Sequence, residues 1–589
     1  MGAVFSQNRL LTDPNEFANS SYDYVIVGGG TAGCVLASRL SEDPHTKVLL
    51  VEAGGSHQSE LFAKIPVAAA QLLRTSKDWG YSTVPQPALN NREVYYARGK
   101  LLGGSGSINA LVYQHCSPSD YDEWEKKGAT GWGYRDLAPY FRKSEKFTPH
   151  PLYPGVKPED RGDSGLWHTS YGYAHPICDN FIESAKELGI PHNPDINTPR
   201  GSIGATKFMT YVDSKGQRSS TATAYLPKEV LARKNLTIAI DTITTKVLFS
   251  SDRRPRAIGV EVAQNETSPR FQVAARKEVI LAAGAVNTPQ LLLLSGIGPQ
   301  ADLEDLNIPL VKDLPMVGNN LHDHPLVPII CRAKSGTTLD YMADPLKAVP
   351  VLLQWFLTGT GPATSNGGEA ALFVRSDDPS LPFTSNGLKL EPLVDNTSGP
   401  DSPDIEIGAA PAGYRPLPRG SNGLTLIPIL TRPMSVGRLC LASSSPFDKP
   451  KIDPNFLAHP NDMKMMVRAV RLSLRLARSS ALAPMLELKP DSEDTTDLFW
   501  PGDADPDRIT DGELEDWIRI NMETTNHCAG TARIGTDETD GVVDPELKVF
   551  GIDGLRVVDA SIFPTMVSGH PTAPVVAIAE KASDLILLQ

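Results

Sequence analysis

The sequence predicts an α/β fold that opens on a Rossmann-like nucleotide-binding unit, and three observations carry that prediction. Tyr22–Val27 is a short run of β-branched and aromatic side chains, Ala32–Leu40 repeats small and apolar residues at helical spacing, and KVLLVE at 47–52 reads as a second strand. Between the first strand and the helix lies Gly28-x-Gly30-x-x-Gly33. Gly28 permits the tight turn, Gly30 lets the backbone approach a pyrophosphate, and Gly33 lets helix and strand pack closely. The helix N-terminus then offers free N–H groups and a partial positive charge to phosphates. The second strand ends at Glu52, whose carboxylate accepts hydrogen bonds from adenosine ribose hydroxyls and repels a 2′-phosphate, which disfavours NADP. NAD and FAD are not separated by this unit, because both carry an ADP half.

At 589 residues the chain exceeds one simple core, so two domains are expected, or one large domain threaded by a second. With 40% hydrophobic and 21% charged residues the composition is that of a globular protein, and 48 Gly and 49 Pro point to many turns and long loops. A formal charge of -13 argues against nucleic acid or an anionic membrane surface as a partner, since both reward a basic stripe. Six scattered cysteines without a C-x-x-C pair exclude a zinc finger and suit a reduced compartment. No apolar leader and no run long enough to span a bilayer are seen, so an intracellular, cytoplasmic protein is expected. MGAVFS fits the N-myristoylation pattern at Gly2 and Ser6, and Asn235 and Asn265 sit in sequons that are idle without secretion.

A second glycine-rich segment, ARGKLLGGSGSINALVY at 97–113, lies too far downstream to belong to the first unit. Arg98 and the exposed amides after Gly103 offer contacts to a second part of a long ligand. Gly103-Gly104-Ser105-Gly106-Ser107 nearly matches the nucleophile elbow of serine hydrolases, but it fails at the last position and no apolar strand precedes it.

From Tyr22 to Leu585 the chain resembles the glucose-methanol-choline oxidoreductases, a family of FAD-dependent alcohol oxidases and dehydrogenases. GKLLGGSGSINALVY resembles the family's first signature, GAVNTPQLLLLSGIG (Gly284 to Gly298) its second, and VGNNLHDHP (Val317 to Pro325) its connecting segment. The resemblance implies FAD, with Gly28, Gly30, Thr31, Ala32 and Gly33 at the pyrophosphate and Glu52 with Ala53 at the ribose. Arg98, Gly104 and Ser105 would also contact the cofactor, and Asn109, Ala110, Leu111 and Val112 would lie beside the isoalloxazine ring. Val247 matches the position whose backbone meets adenine, and Asp559 with Ala560 the position near the pyrophosphate and ribityl chain. Ile108 stands where some relatives carry a histidine bonded to flavin, so a non-covalent, dissociable FAD is expected. His115 and Cys116 after Tyr113, and SVGR at Ser435 to Arg438, depart from the family pattern and bear on the shape of the entrance.

Alcohol oxidation requires the hydroxyl proton to leave and a hydride to pass from the carbinol carbon to flavin N5. Histidine suits the first task, its unperturbed pKa of about 6.5 lying near working pH. By resemblance His527 in TTNHCAGTARIG is the base, and His570 in SGHPTAPVVAIAEKASDLI holds the substrate oxygen. Cys528 is taken as packing. The final helix is expected to start with Thr572 as N-cap and Pro574 in its first turn, aiming its N-terminus, with Pro571 and Thr572, at the flavin. His322, Asp323 and His324 lack the fourth ligand and spacing of a zinc site and are read as a linking loop, so no metal is expected. AVPVLLQWFLTG from Ala348 is read as a buried helix.

The resemblance places a discontinuous FAD-binding domain at 20–150, 205–325 and 515–589. A substrate-binding domain with a mainly antiparallel sheet occupies 151–204 and 326–514. The long loops Ser376 to Asp404 and Asp491 to Glu513 are candidate lids. The expected substrate is a small-molecule alcohol, aryl or terpenoid, with oxygen or a quinone as electron acceptor. Lyases on the same scaffold, including hydroxynitrile lyases and a photodecarboxylase, and a non-catalytic flavoprotein are the alternatives. Nothing in the sequence sets the oligomeric state.

Overall fold

The computed structural model describes residues 10–385, 389–489 and 494–588. The Gly2–Ser6 pattern and parts of both candidate lid loops fall outside them. The first of two main sheets grows from the strands read in the sequence. Leu10–Leu11, Leu236–Ala239, Val48–Val51, Ser21–Val27 and Phe271–Leu281 lie side by side and parallel. The first residues of Phe271–Leu281 pair antiparallel with Ala257–Ala263, which pairs in turn with Ile243–Phe249. Its last three residues pair parallel with Leu555–Val557. Both faces of the parallel part are covered, which is why its strands read as unbroken apolar runs rather than alternating ones. Val25, Ile26, Leu49, Leu50 and Ile280 are fully buried, each contributing at most about 1.5–3 kcal/mol.

The helices Thr31–Leu40 and Thr572–Leu587 pack against each other, and so the two ends of the chain meet. Arg39 donates to both Glu580 oxygens at 2.8 and 2.9 Å, and Tyr225 donates to the same carboxylate at 2.7 Å. Glu580 is fully buried, so this clamp resists separation of the termini.

The second sheet is antiparallel throughout, as expected. Its order is Glu523–Thr524, Pro325–Leu326, Asn422–Leu430, Ile405–Ala410, Ala370–Val374 and Gly204–Lys207, with Ile329–Ala333 also pairing with Asn422–Leu430. The long helix Pro460–Ala477 packs on this sheet. In the sheet register Glu406 faces Ile429 and Gly408 faces Ile427, and all four line one large cavity. Gly204–Lys207 pairs with Ala370–Val374, so the residues from Ala205 to Lys207 join the substrate-side sheet although they were expected in the cofactor-side segment beginning at 205.

The apolar segment near Ala348, expected to be buried, is not. It is a helix, Pro345–Thr358, capped by Asp344, yet only Trp355 is buried. Leu346, Phe356 and Leu357 are 84, 78 and 76% exposed. The apolar run identified the helix but not what covers it. No helix among the described residues is long and apolar enough to cross a membrane.

Candidate active site

Both glycine-rich segments open onto a cavity of about 910 Å³ between the two sheets, near the upper end of the roughly 300–1,000 Å³ usual for ligand sites. Gly28 has φ +101°, and a Cβ there would sit 2.5 Å from the Ala282 carbonyl oxygen. A Cβ on Gly33 would lie 1.9 Å from the Gly28 carbonyl oxygen, so helix and strand touch at that point. By contrast a Cβ on Gly30 would meet nothing closer than 3.9 Å, which leaves open space in front of a helix whose N-terminal amides have no side-chain cap. Gly104 closes the cradle from the second segment, its hypothetical Cβ 2.8 Å from Gly30 Cα.

Glu52 is 6% exposed and accepts from the Gly29 and Gly54 amides, both at 2.8 Å. Burial pushes its pKa up to about 7 against these bonds. Opposite, Asp559 accepts from Gly284 N at 2.8 Å, Thr288 Oγ1 at 2.7 Å and Ser561 N at 2.8 Å. Thr31, Ala32, Ala53, Arg98, Ser105, Asn109, Ala110, Leu111, Val112, Ala560, Pro571 and Thr572 also line the cavity.

At the far end His527 and His570 stand edge to face, ring centroids 4.8 Å apart at 77°. The His527 amide donates to Asp323 Oδ1 at 2.8 Å, and its Nδ1 lies 3.0 Å from Nδ1 of His324. Burial, with the neighbouring His570, His324 and Arg98, holds the His527 pKa well below the ordinary histidine value, so the ring is neutral. Burial likewise depresses His324, to about 3. Two neutral rings sharing one N–H between their Nδ1 atoms leave Nε2 of His527 as the nitrogen free to act. His570 Nε2 is 3.0 Å from Glu406 Oε1, and its amide donates to Gln114 Oε1 at 3.0 Å.

The GMC oxidoreductase family model for the N-terminal part matches residues 22–326, and that for the C-terminal part matches residues 433–579. The chain belongs to the GMC oxidoreductase family. It is 45% identical to dehydrogenase str4 of Strobilurus tenacellus, across 100% of this chain and 99% of that protein. Identity to mouse mitochondrial choline dehydrogenase is 37%, covering 96% of this chain and 89% of the relative. A solved formate oxidase from Aspergillus oryzae, an arginine-to-alanine variant studied for FAD modification, superposes with a TM-score of 0.85 at 31% identity, covering 97% and 98% of the two chains. This GMC oxidoreductase is therefore an FAD-dependent enzyme acting on alcohols.

The lining residues fit that cofactor. The Gly30–Gly104 cradle and uncapped helix suit a pyrophosphate, Glu52 suits a ribose diol, and the start of the Thr572–Leu587 helix faces the wall formed by Asn109–Val112.

Several sequence expectations for this GMC oxidoreductase change in detail. Val247 is not among the lining residues; its N–H donates to Ser295 Oγ at 2.9 Å, and the cavity wall nearby is Thr242, Ile243 and Thr244. Arg98 does not offer its donors freely, since they go to the Ala97 and Asn526 carbonyls and to Cys528 Sγ, stapling the loop that carries His527. Thr572 is the first residue of the helix rather than its N-cap, which is Pro571, and its Oγ1 accepts from Asn109 Nδ2 at 3.2 Å. His115 is buried and stacked on Phe141, and Cys116 is buried, so this departure from the family pattern shapes the core rather than the entrance. No described residue of either long loop lines the cavity; its rim passes through Ala70, which is exposed and belongs to the 3-10 helix Pro66–Leu72.

Two site residues escape the sequence reading. His324 reads there as part of a linker, although its Nδ1 lies 3.0 Å from Nδ1 of His527. Glu406 lies in the strand IEIGAA, where one carboxylate in an apolar run is the signal that identifies a functional position.

Proposed function

We propose that the enzyme dehydrogenates an uncharged aryl or terpenoid alcohol at the cavity end where His527 meets His570. The observation that carries this reading is the Nδ1-to-Nδ1 contact between His527 and His324, because it fixes which nitrogen of His527 is available. The backbone of Thr431 and Val567 lies beside the His324 ring, whose buried Nε2 has no hydrogen-bond partner. We assign the shared proton of the 3.0 Å contact to His527, with Nδ1 of His324 accepting it. His527 then carries its own proton on Nδ1 and presents the Nε2 lone pair to the substrate hydroxyl.

His570, oriented by the 3.0 Å contact of its Nε2 with Glu406 Oε1, stands beside the same substrate oxygen and hydrogen-bonds it. FAD, bound non-covalently, supplies the acceptor for the hydride leaving the carbinol carbon. Phe208, Val112, Leu326, Ile427 and Ile429 give the chamber an apolar wall that keeps water off this pair and suits an aryl or terpenoid body. Oxygen or a quinone completes the cycle.

Anaerobic mixing of the holoenzyme with matched panels tests the substrate class. Aryl and terpenoid alcohols are expected to bleach the flavin absorbance, and choline and sugars to leave it unchanged. Bleaching by choline alone overturns the assignment.

A further inference from the structure

The Pro345–Thr358 helix is apolar on nearly all sides, yet it touches the protein along one stripe. Ala348, Val351 and Trp355 face inward, and Trp355 packs with Ile65 and Ala363 while its Nε1 donates to the Gly216 carbonyl at 2.7 Å. At about 100° per residue, Leu346, Val349, Pro350, Leu352, Leu353, Phe356 and Leu357 cover an outer arc of roughly 160°. No charged side chain lies on that arc; Lys347, Gln354 and Thr358 form a polar flank beside it. A helix that is apolar on both its inner and outer faces is normally covered.

Its position in the fold is equally specific. Val67 and Ala68 pack against the same cluster as Trp355, and they belong to Pro66–Leu72, the 3-10 helix that forms part of the cavity rim. Leu61 and Phe62, one turn before Ile65, are 57 and 46% exposed and extend the apolar surface.

We propose that this helix seats the enzyme on a neutral, zwitterionic lipid surface with the cavity rim beside the bilayer. A helix is about 10–12 Å across, and interfacial helices sink about 5–10 Å into the headgroup and acyl boundary, so a cylinder resting on one stripe can bury its whole outer arc there. A second copy of the chain would meet the cylinder along one side and leave much of the arc wet. Charge selects the lipid: the arc is uncharged and the chain carries -13, which opposes anionic headgroups. Docking stands independently of the reaction; that it delivers apolar alcohols from the bilayer to the rim rests on the function proposed above.

Flotation of the flavin-loaded full chain with phosphatidylcholine vesicles tests the proposal. The wild type is expected to float, with little dependence on salt, and the double substitution Leu353→Glu with Phe356→Glu to lower the floated fraction by about tenfold or more. Both side chains are exposed, so flavin absorbance and helix content are the controls for folding. Failure of the wild type to float overturns the proposal, as does binding restricted to phosphatidylserine vesicles. A solution dimer that the same double substitution dissociates would assign the helix to a second copy and also overturn it. None of these readouts needs alcohol turnover, so they separate docking from the catalytic reading.

Discussion

In the proposed mechanism His527 serves as a base only if its free nitrogen points at the substrate, and the contact with His324 is what sets that. His324→Ala removes the Nδ1 acceptor and a neighbour that depresses the His527 pKa. Alcohol-dependent flavin reduction is expected to slow by about 10²- to 10⁴-fold, the range between losing a placed base and presenting the wrong tautomer. The inflection in kcat/KM against pH should also move upward; an unchanged inflection contradicts the contact. Glu52 gives a second residue-scale prediction. Its folded pKa of about 7 exceeds the ordinary 4.5, so the stability it contributes is fully present below about pH 4.5 and lost as pH rises through about 7. Flavin-free Glu52→Gln should therefore lose less thermal stability between pH 5 and pH 8 than flavin-free wild type, as read by melting temperature.

At the scale of elements, the strand-glycine-helix unit was legible because Gly28 and Gly33 answer steric demands within the unit and Gly30 keeps the helix N-terminus open, all within one short stretch of sequence. The meeting of the two glycine-rich segments was not legible from spacing, since the Gly30–Gly104 approach joins residues distant in sequence. Gly104→Ala would place a Cβ 2.8 Å from Gly30 Cα at φ +53°. It should cost about tenfold or more in FAD affinity, measured by flavin retained on gel filtration, while overall helix and strand content persist. The helix at Pro345–Thr358 shows the opposite limit. Its apolar character was plain, but burial depends on neighbours, and the sequence pattern contains no record of them.

For the whole molecule, the family signatures led to the joining of the chain ends, and the Arg39–Glu580 clamp is its physical form across 541 residues. Local pattern did not reveal the register that sets Glu406 beside Ile429, or the membership of Gly204–Lys207 in the second sheet, because antiparallel pairing is decided by packing partners far away in sequence. That same long-range assembly brings a cofactor wall from the first sheet to a histidine pair from the last seventy or so residues. Single-turnover reduction of the flavin by an aryl alcohol, followed without oxygen in wild type and His527→Ala, tests this most directly. The account predicts that His527→Ala still binds FAD but is reduced about 10²- to 10⁴-fold more slowly. Reduction at the wild-type rate by a fully flavin-loaded His527→Ala would contradict it.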